Sequence, residues 1–304
     1  MMKKGNAVIT HEISKQQKDN ASQSVAKKTS TFTIGVLSSQ LSDPFFVVAL
    51  SEIERVVYEQ GGTVIVARLP NDPDQEQRLL SWIKACQIAG LLVSTGEDMW
   101  GYGFAKTVED AGIPVVSFDG VADTHHGHQV VSDLATGMCE AIALFASCGH
   151  HSISLINGPE QLAKSREREE AYRKGLRQEG ISLKPEYMVG TDLTREGNEL
   201  AISKLLALPD RPSAVVSFND FVTLDVMKGV REKGLILNQD IHFISYAGYP
   251  LWEYMENPPM ASIERFPGVQ GAKAAQLLLE LLHSKEQRGS SVLVVESQLI
   301  RRSI

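Results

Sequence analysis

Residues 33–62 read TIGVLSSQLSDPFFVVALSEIERVVYEQGG, and this stretch contains the unit from which the whole fold is built. Its first part, Thr33–Leu37, is short and apolar and ends in two serines, a pattern typical of a buried strand. Asp43-Pro44 then supplies a helix N-cap and a proline at the first helical position. Four apolar residues follow on one helical face: Phe46, Leu50, Ile53 and Val57. The stretch therefore predicts a strand, a polar turn and an amphipathic helix.

The same unit recurs along the chain, because further apolar runs end in small or polar residues and precede helix-like segments. These runs are Leu91–Val93, Val115–Phe118, Ile153–Ile156, Ala214–Phe218 and Ile241–Tyr246. Strands that alternate with helices are typical of parallel α/β sheets. Such sheets bind ligands at the carboxyl ends of their strands, where the polar residues lie in this chain. We expect an α/β protein with two doubly wound parallel sheets.

The two sets of strands predict two lobes with a cleft between them. A polar loop at Asp123–Val131 separates the sets, and a late helix (Gly268–Leu282) and strand (Val292–Ile300) must join lobes already formed. The predicted boundaries are a basic leader at 1–31, an N-terminal lobe at 32–130 and 265–290, and a C-terminal lobe at 131–264 and 291–304. A chain that passes between lobes more than once forms a hinged cleft that can close on a ligand.

Charge is distributed unevenly along the chain. The net charge of the 304 residues is −7, yet residues 1–30 hold six lysines against Glu12 and Asp19, a local +4 that leaves −11 on the rest. An acidic body repels phosphates, so contact with DNA would fall to the leader or to a partner. Because the sequence contains neither a long apolar run nor a secretory signal, we expect a cytoplasmic protein that does not contact the membrane.

The sequence offers no constellation for catalysis or metal binding. Cys86, Cys139 and Cys148 lie far apart without a Cys-x-x-Cys spacing, and we interpret them as small core side chains. The histidines at 125, 126 and 128 have no accompanying ligands at metal spacing. Nucleophile-elbow, Walker and zinc-protease motifs do not occur. We therefore expect no enzyme activity, no catalytic residue, no metal and no cofactor.

A series of short motifs resembles one family in its order and spacing. The motifs are Thr33-Ile34-Gly35-Val36, Asp43-Pro44-Phe45-Phe46, Pro114-Val115-Val116 leading to Asp119, Val131-Ser132-Asp133 with Gly137, Cys148-Gly149-His150, Arg166-Glu167-Arg168 with Tyr172, and Pro212-Ser213-Ala214 leading to Asn219-Asp220. From about Thr33 to Ser303 the chain resembles the regulatory core of the lactose-repressor (LacI/GalR) family. The resemblance implies a periplasmic-binding-protein-like fold of type I. It also implies a homodimer and a small ligand between the lobes, usually a sugar or a nucleoside-like molecule.

The resemblance further implies which residues line the ligand pocket. The implied positions are Ser39, Asp43, Phe45, Phe46 and Asp119 in the first lobe, Lys164, Arg168 and Asn219 in the second, and Arg265 near a lobe crossing. This set suits a polyol, because a carboxylate accepts hydrogen bonds, a guanidinium donates them as a fork, and a phenyl ring covers an apolar sugar face. Arg168 and Asp119 are expected to form hydrogen bonds with the same ligand from opposite lobes. Asp43, like Asp133 and Asp220, starts a predicted helix and is alternatively only an N-cap.

Two positions depart from the family pattern. Ala247 stands where family members generally carry an aspartate, so one acceptor for a ligand hydroxyl is missing. Glu264 and Arg265 stand near the position of a usual glutamine, which adds charge to the cleft. These differences favour an acidic or phosphorylated effector over a neutral sugar.

The segment before the core departs further from the family. A helix-turn-helix domain needs roughly 40 residues, whereas 20 precede Ala21, and the hinge helix is reduced to Ala21–Lys28. We expect an effector-sensing and dimerisation module that binds DNA only if a helix-turn-helix is supplied upstream or by a partner. Spare valines on the first helix, Val47, Val48 and Val56, favour the homodimer. Two alternatives stay open: a solute-binding protein for a transporter, and a dimerisation partner that weakens an intact regulator.

Overall fold

The computed structural model describes residues 31–70, 72–95, 99–120, 127–284 and 289–302. The strands in these ranges are β1 (Thr33–Ser38), β2 (Thr63–Arg68), β3 (Gly90–Ser94), β4 (Val115–Gly120), β5 (His128–Asp133), β6 (Ile153–Asn157), β7 (Met188–Gly190), β8 (Ala214–Ser217), β9 (His242–Tyr246), β10 (Ala261–Glu264), β11 (Val292–Glu296) and β12 (Gln298–Arg301). The α-helices in the same ranges are α1 (Pro44–Glu59), α2 (Pro73–Ala85), α3 (Met99–Asp110), α4 (Ala135–Ser147), α5 (Ala163–Gln178), α6 (Arg195–Leu206), α7 (Asp220–Glu232) and α8 (Pro267–His283).

The strands form two six-stranded sheets, one in each lobe. The first sheet has the order β11-β5-β4-β3-β1-β2, and all of its strands are parallel. The second has the order β12-β10-β9-β8-β6-β7, in which β12 runs antiparallel to β10. Helices α1 and α8 pack on one face of the first sheet, and α2 and α3 on the other. In the second lobe α4 and α5 face α6 and α7 across the sheet, so the expected doubly wound α/β architecture is confirmed.

The first unit folds as its sequence predicts. Asp43 is the N-cap of α1 and accepts a hydrogen bond from the Phe45 amide, and Pro44 opens the helix. Phe46, Ile53 and Val57 are buried on the predicted stripe. Val47 and Val48 are each 48% exposed, as expected for apolar residues outside the buried stripe.

Val56 corrects the prediction of spare valines, because it is 6% exposed and packs in the core of the first lobe. The reason is α8, which returns from the second lobe and packs along α1. Gly271 permits the close approach, since a Cβ there would lie 2.3 Å from the Ala49 carbonyl oxygen. A helix covered by both a sheet and a neighbouring helix needs a wider apolar stripe than one covered by a sheet alone.

Within the described residues, the chain crosses between the lobes at Leu134, at Arg265-Phe266 and at Ser297. This differs from the predicted boundaries at two places. Residues 131–133 belong to β5 and 292–296 to β11, so both segments lie in the N-terminal lobe. The predicted final strand is in fact two strands, because the buried Ser297 separates β11 from β12 and its hydroxyl accepts a hydrogen bond from the Gly137 amide at 3.0 Å.

The predictions for the cysteines and for the polar loop differ from the structure, and others fall on residues that the structure does not describe. Of the cysteines interpreted as core residues, Cys86 and Cys148 are exposed and Cys139 is half-buried, because each lies at a helix end or on an outer helix face. The predicted polar loop ends earlier than expected, since β5 begins at His128. His125, His126 and the leader at 1–30 lie outside the described residues.

Candidate functional site

Strand ends and helix starts from both lobes meet at a small cavity. Its lining comprises Ser38, Ser39, Gln40, Asp43, Phe46, Ser94 and Asp119 from the first lobe, Lys164, Arg168, Phe218, Asn219, Tyr246 and Tyr249 from the second, and Arg265 from the crossing. The cavity measures about 30 Å³, which is space for about two water molecules. The lobes are therefore closed on each other, and their own side chains fill the cleft.

Asp119, at the end of β4, joins the two lobes. Its Oδ1 accepts hydrogen bonds from Lys164 Nζ at 2.9 Å and from Arg265 Nη1 at 2.8 Å. The exposed fractions of the three side chains are 7%, 4% and 8%, so the ion pairs are buried. The backbone of Asp119 has φ 61°, in the left-handed region that aspartate tolerates better than most residues. This conformation shifts the register of β4 against β5 at the point where the side chain enters the cleft.

Arg168, on α5, is held between two aromatic rings. Its Cζ lies 3.9 Å from the centroid of the Phe218 ring and 4.6 Å from that of Tyr246. The Tyr246 hydroxyl donates to the Leu134 carbonyl at 2.8 Å, which fixes that ring against the first lobe crossing. Burial raises the pKa of the Tyr246 phenol, so the hydroxyl remains a donor at neutral pH. Such stacking favours arginine over lysine, because only the guanidinium is planar.

Arg265 is stacked in the same way, and its partner explains the position of Phe45. The guanidinium carbon of Arg265 lies 4.3 Å from the centroid of the Phe45 ring. Phe45 does not line the small cavity, contrary to the prediction, whereas Phe46 does. Successive helical residues point about 100° apart, so the two rings at the start of α1 face different sides. Phe45 therefore supports a cleft residue from behind.

Asp43 connects the first lobe to the second in addition to capping α1. Its Oδ1 accepts from the Phe45 amide at 2.8 Å and from the Tyr249 hydroxyl at 3.2 Å. Burial, followed by the nearby charge of Asp43, raises the pKa of the Tyr249 phenol. Tyr249 therefore remains a donor, and both alternatives considered for Asp43, cap and cleft residue, describe its position.

Asn219 and Asp220, at the start of α7, accept different hydrogen bonds. Asn219 is the N-cap and accepts from the Val222 amide at 2.9 Å. Asp220 is not the cap: its carboxylate accepts from Ser245 Oγ and from the amides of Gly248 and Tyr249, at 2.9 and 2.7 Å for the amides. These bonds hold the loop after β9 in place, including Ala247 at φ 102°. Asp133 is not the N-cap either: it lies one residue before the N-cap Leu134, and its Oδ1 accepts from the Ala135 amide at 2.8 Å.

The structure brings together all the predicted pocket residues except Phe45, and it adds six more. The added residues are Ser38, Gln40, Ser94, Phe218, Tyr246 and Tyr249. Ser38, Ser94 and Tyr246 are the last residues of their strands, so a consistent use of the strand-end rule would have found them. Tyr249 has no such signal, because it lies in a loop.

The sequence of the chain matches a known family. The family described as periplasmic binding proteins and the sugar-binding domain of the LacI family matches residues 31–302. The chain belongs to this family. The predicted LacI/GalR-type effector-binding core is thereby confirmed.

Family members similar to the chain include transcriptional repressors. The chain is 26% identical over 259 residues to the HTH-type transcriptional repressor PurR of Aliivibrio salmonicida, covering 85% of this chain and 77% of that protein. It is 25% identical over 279 residues to the ribose operon repressor of Haemophilus influenzae, covering 91% and 82%. The structure of the transcriptional regulator CelR in complex with cellobiose has a TM-score of 0.78 and 21% identity, over 93% of this chain and 88% of that one.

These findings agree with the expectation that the chain is not an enzyme, since the relatives are repressors. Within the described part of the chain, no cluster of His, Cys, Asp or Glu is arranged to hold a metal ion. No helix among the same residues has the length and apolar character needed to cross a membrane.

Proposed function

We propose that the chain is the effector-sensing module of a LacI-type transcription regulator and that its effector is a small anionic polyol, such as a sugar phosphate or a sugar acid. The observation that carries this proposal is the charge of the cleft. Lys164, Arg168 and Arg265 all line the cavity and are all buried, against Asp119 and the helix-capping Asp43. The described lining therefore has a surplus of positive charge.

A buried surplus of positive charge favours an anionic ligand over a neutral one. Lys164 and Arg265 share one acceptor, Asp119 Oδ1, and a phosphate or carboxylate would offer further oxygens to donors arranged as a fork. A neutral hydroxyl is a weaker partner for the same groups.

The rest of the cleft suits a polyol. Ser38, Ser39 and Asn219 offer hydroxyl and amide groups, and Phe46 offers an aromatic ring. CelR, which shares the fold, was solved with cellobiose. A carbohydrate carrying an acidic group would therefore find both a charged end and a hydroxyl-binding end in this cleft.

Closure of the lobes is the allosteric step in this proposal. Asp119 is on the first lobe and Lys164 on the second, so their ion pair exists only while the cleft is closed. Because the cleft cavity of this closed form measures only about 30 Å³, a sugar-sized ligand would have to separate these paired side chains. It would then shift the balance between the lobe arrangements by its differential affinity for them. Regulation follows if closure changes how two copies of the module are held.

The proposal includes a homodimer. Exposed apolar side chains on both lobes support the dimer. In the first lobe Tyr58 is 81% exposed, and in the second Phe221 is 52% and Tyr254 87% exposed. Sedimentation should show a dimer at micromolar concentration, and a monomer would contradict this part of the proposal.

Matched neutral and anionic sugars test the effector class. Thermal-shift screening and calorimetry would compare glucose with glucose 6-phosphate and with gluconate, and ribose with ribose 5-phosphate. We expect the anionic member of at least one pair to bind about tenfold or more tightly. Tighter binding of the neutral members would overturn the anionic assignment while leaving the family assignment intact.

Arg265→Gln, which restores the usual family residue, sharpens the test. It should weaken the anionic member by about 1.5–3 kcal/mol and affect the neutral member less. Arg302→Gln is the control: Arg302 is a half-buried arginine that binds Ser262 Oγ at 2.7 Å and does not line the cleft. Equal effects of the two variants would contradict the role of Arg265.

A further inference from the structure

A second cavity lies behind the cleft, on the far side of Arg265. It measures about 480 Å³, within the ~300–1,000 Å³ of small-molecule sites. Phe45, Val48 and Val269 line it from the first lobe, Tyr249 and Pro250 from the second, and Phe266 from the crossing between them. This rear cavity is more than ten times larger than the cleft cavity, at about 480 against 30 Å³.

The walls of the rear cavity are rigid and mostly carbon. Pro44, Pro250 and Pro267 each fix one backbone φ angle in its lining. Phe266 has φ 53°, and its amide is held by Glu264 Oε1 at 2.7 Å. These restraints act within each lobe, so only the relative position of the lobes has to adjust when a ligand binds.

The few polar groups of this lining are occupied elsewhere. The Tyr249 hydroxyl donates to Asp43, and Arg265 Nη1 donates to Asp119, both toward the cleft. The Glu264 carboxylate accepts from the Phe266 amide. Glu264 disfavours an anionic ligand in the cavity, and the two phenyl rings favour a flat one.

We propose that the rear cavity is a second ligand site, distinct from the cleft, for a small uncharged molecule that is mainly aromatic. Its walls come from both lobes, so a molecule bound there contacts both and favours the closed arrangement. It also touches the residues that support the cleft, because Phe45 stacks on Arg265 at 4.3 Å and Tyr249 lines both cavities. This proposal does not depend on which ligand the cleft binds.

The rim of the rear cavity provides a matched pair of variants. Val48 lines the cavity and Val47 does not, although both lie on α1 and both are 48% exposed. Val48→Trp should fill the cavity, whereas Val47→Trp places the same side chain outside it. Val269→Trp fills it from α8, where Val269 is 45% exposed, and so tests the site even if Val48→Trp folds poorly.

The probe is N-phenyl-1-naphthylamine, a neutral aromatic fluorophore, excited outside the tryptophan band and titrated with the folded full chain. We expect saturable binding of one probe per chain, with an affinity at least about tenfold weaker in the Val48→Trp and Val269→Trp variants and unchanged in Val47→Trp. Circular dichroism and thermal melting confirm that each variant is folded.

Three outcomes would overturn the proposal. The wild-type chain could fail to bind the probe saturably, or the valine 47 and 48 variants could lose binding equally. Binding could also vanish as the protein concentration is raised through its dimerisation range. That third result would show that a second copy of the chain, rather than a small molecule, covers the cavity.

Discussion

The two lobes share a strand order but contribute opposite charges to the cleft. Read from the same edge, the sheets are β11-β5-β4-β3-β1-β2 and β12-β10-β9-β8-β6-β7. The first lobe supplies the carboxylates Asp43 and Asp119, whereas the second supplies Lys164 and Arg168. The fold thus determines where a ligand can bind, and a few side chains near strand ends and helix starts determine which ligand.

The charge difference also explains how the lobes are held together. The attraction between Asp119 and the two cations crosses a cleft whose walls exclude water, where ion pairs are screened little. Lobes with like charges would repel in the same position. Variants that change the cleft residues of one lobe at a time therefore test whether the charge difference between the lobes, rather than their shared topology, controls closure.

The largest effect is expected from removing the carboxylate of the first lobe. Asp119→Ala leaves Lys164 and Arg265 buried without their acceptor, which should cost about 3 kcal/mol of stability in the closed form. We expect the lobes to open so that both cations regain water. Small-angle scattering would detect the larger radius of gyration, and urea unfolding the lower stability.

Asp119→Asn separates charge from backbone strain in this experiment. Asparagine tolerates the left-handed conformation at φ 61°, whereas alanine does so less readily. Both variants should open, with alanine losing about 1 kcal/mol more. An asparagine variant that stays as compact and as stable as wild type would show that the ion pairs do not hold the lobes closed.

The next effect concerns the second lobe. Arg168→Ala should weaken binding of the cleft ligand identified by the sugar screen by about 1.5–3 kcal/mol, or ten- to a hundredfold. Arg168→Lys should lose nearly as much, because lysine cannot stack between Phe218 and Tyr246 as a plane. Calorimetry on the folded variants measures both.

Arg173→Ala is the control on the same helix. Arg173 pairs with Glu169 at 2.7 Å on the surface, where both side chains are more than a third exposed. Its loss should change affinity little. If Arg168→Ala binds as tightly as Arg173→Ala, the second lobe does not supply the cation that recognises the ligand.

Local patterns in the sequence were sufficient to predict the first strand-helix unit, two further strands of the first lobe and several strand-end residues of the cleft. The strand, cap and stripe of residues 33–57 depend on neighbours in the sequence, and they folded as expected. Asp119 and Asn219 follow from the strand-end rule. Lys164, Arg168 and Arg265 came from the family resemblance, because nothing in a charged helix shows which residues a second lobe will bury.

The features that were missed depend on contacts between distant residues. Val56 is buried because α8, more than 200 positions later, packs against α1. Tyr249 enters the cleft because Asp220, 29 residues earlier, binds its amide. The run from Val292 to Ile300 changes lobes at Ser297 without a glycine or proline to mark the crossing. Such contacts leave no periodic signal in the sequence.

A smaller effect is expected from the long hydrogen bond that the neutral Tyr249 hydroxyl donates to the Asp43 carboxylate across the lobes. Tyr249→Phe removes the hydrogen bond of 3.2 Å to Asp43 and should cost about 0.5–1.5 kcal/mol. Because the bond spans the lobes, the loss should shift closure several-fold, as seen in scattering profiles. Tyr187→Phe is the control, since the Tyr187 hydroxyl donates to the Asp210 carbonyl at 2.8 Å within one lobe. A shift of equal size in both variants would contradict the role of Tyr249 in closure.

The smallest expected effect is a difference between the lobes in how much stability they lose as the pH falls. His150 and His242 lie in the second lobe with ring centroids 4.5 Å apart, whereas His128 lies in the first lobe. Burial lowers the pKa of all three rings, and the neighbouring His242 lowers that of His150 further. A histidine pKa lowered by folding contributes stability above its ordinary value of 6.5, and this stability is lost as the pH falls below 6.5.

We therefore expect the free energy of unfolding to decrease between pH 7.5 and 5.5, by roughly 0.5 kcal/mol for the histidine pair, because solvent screens these half-buried rings. Urea unfolding at both pH values measures the decrease. Replacing His150 and His242 by glutamine should remove more of it than His128→Gln does, since two interacting rings resist protonation more than one. If His128→Gln removes the larger share, the acid sensitivity belongs to the first lobe and the expected contrast is reversed.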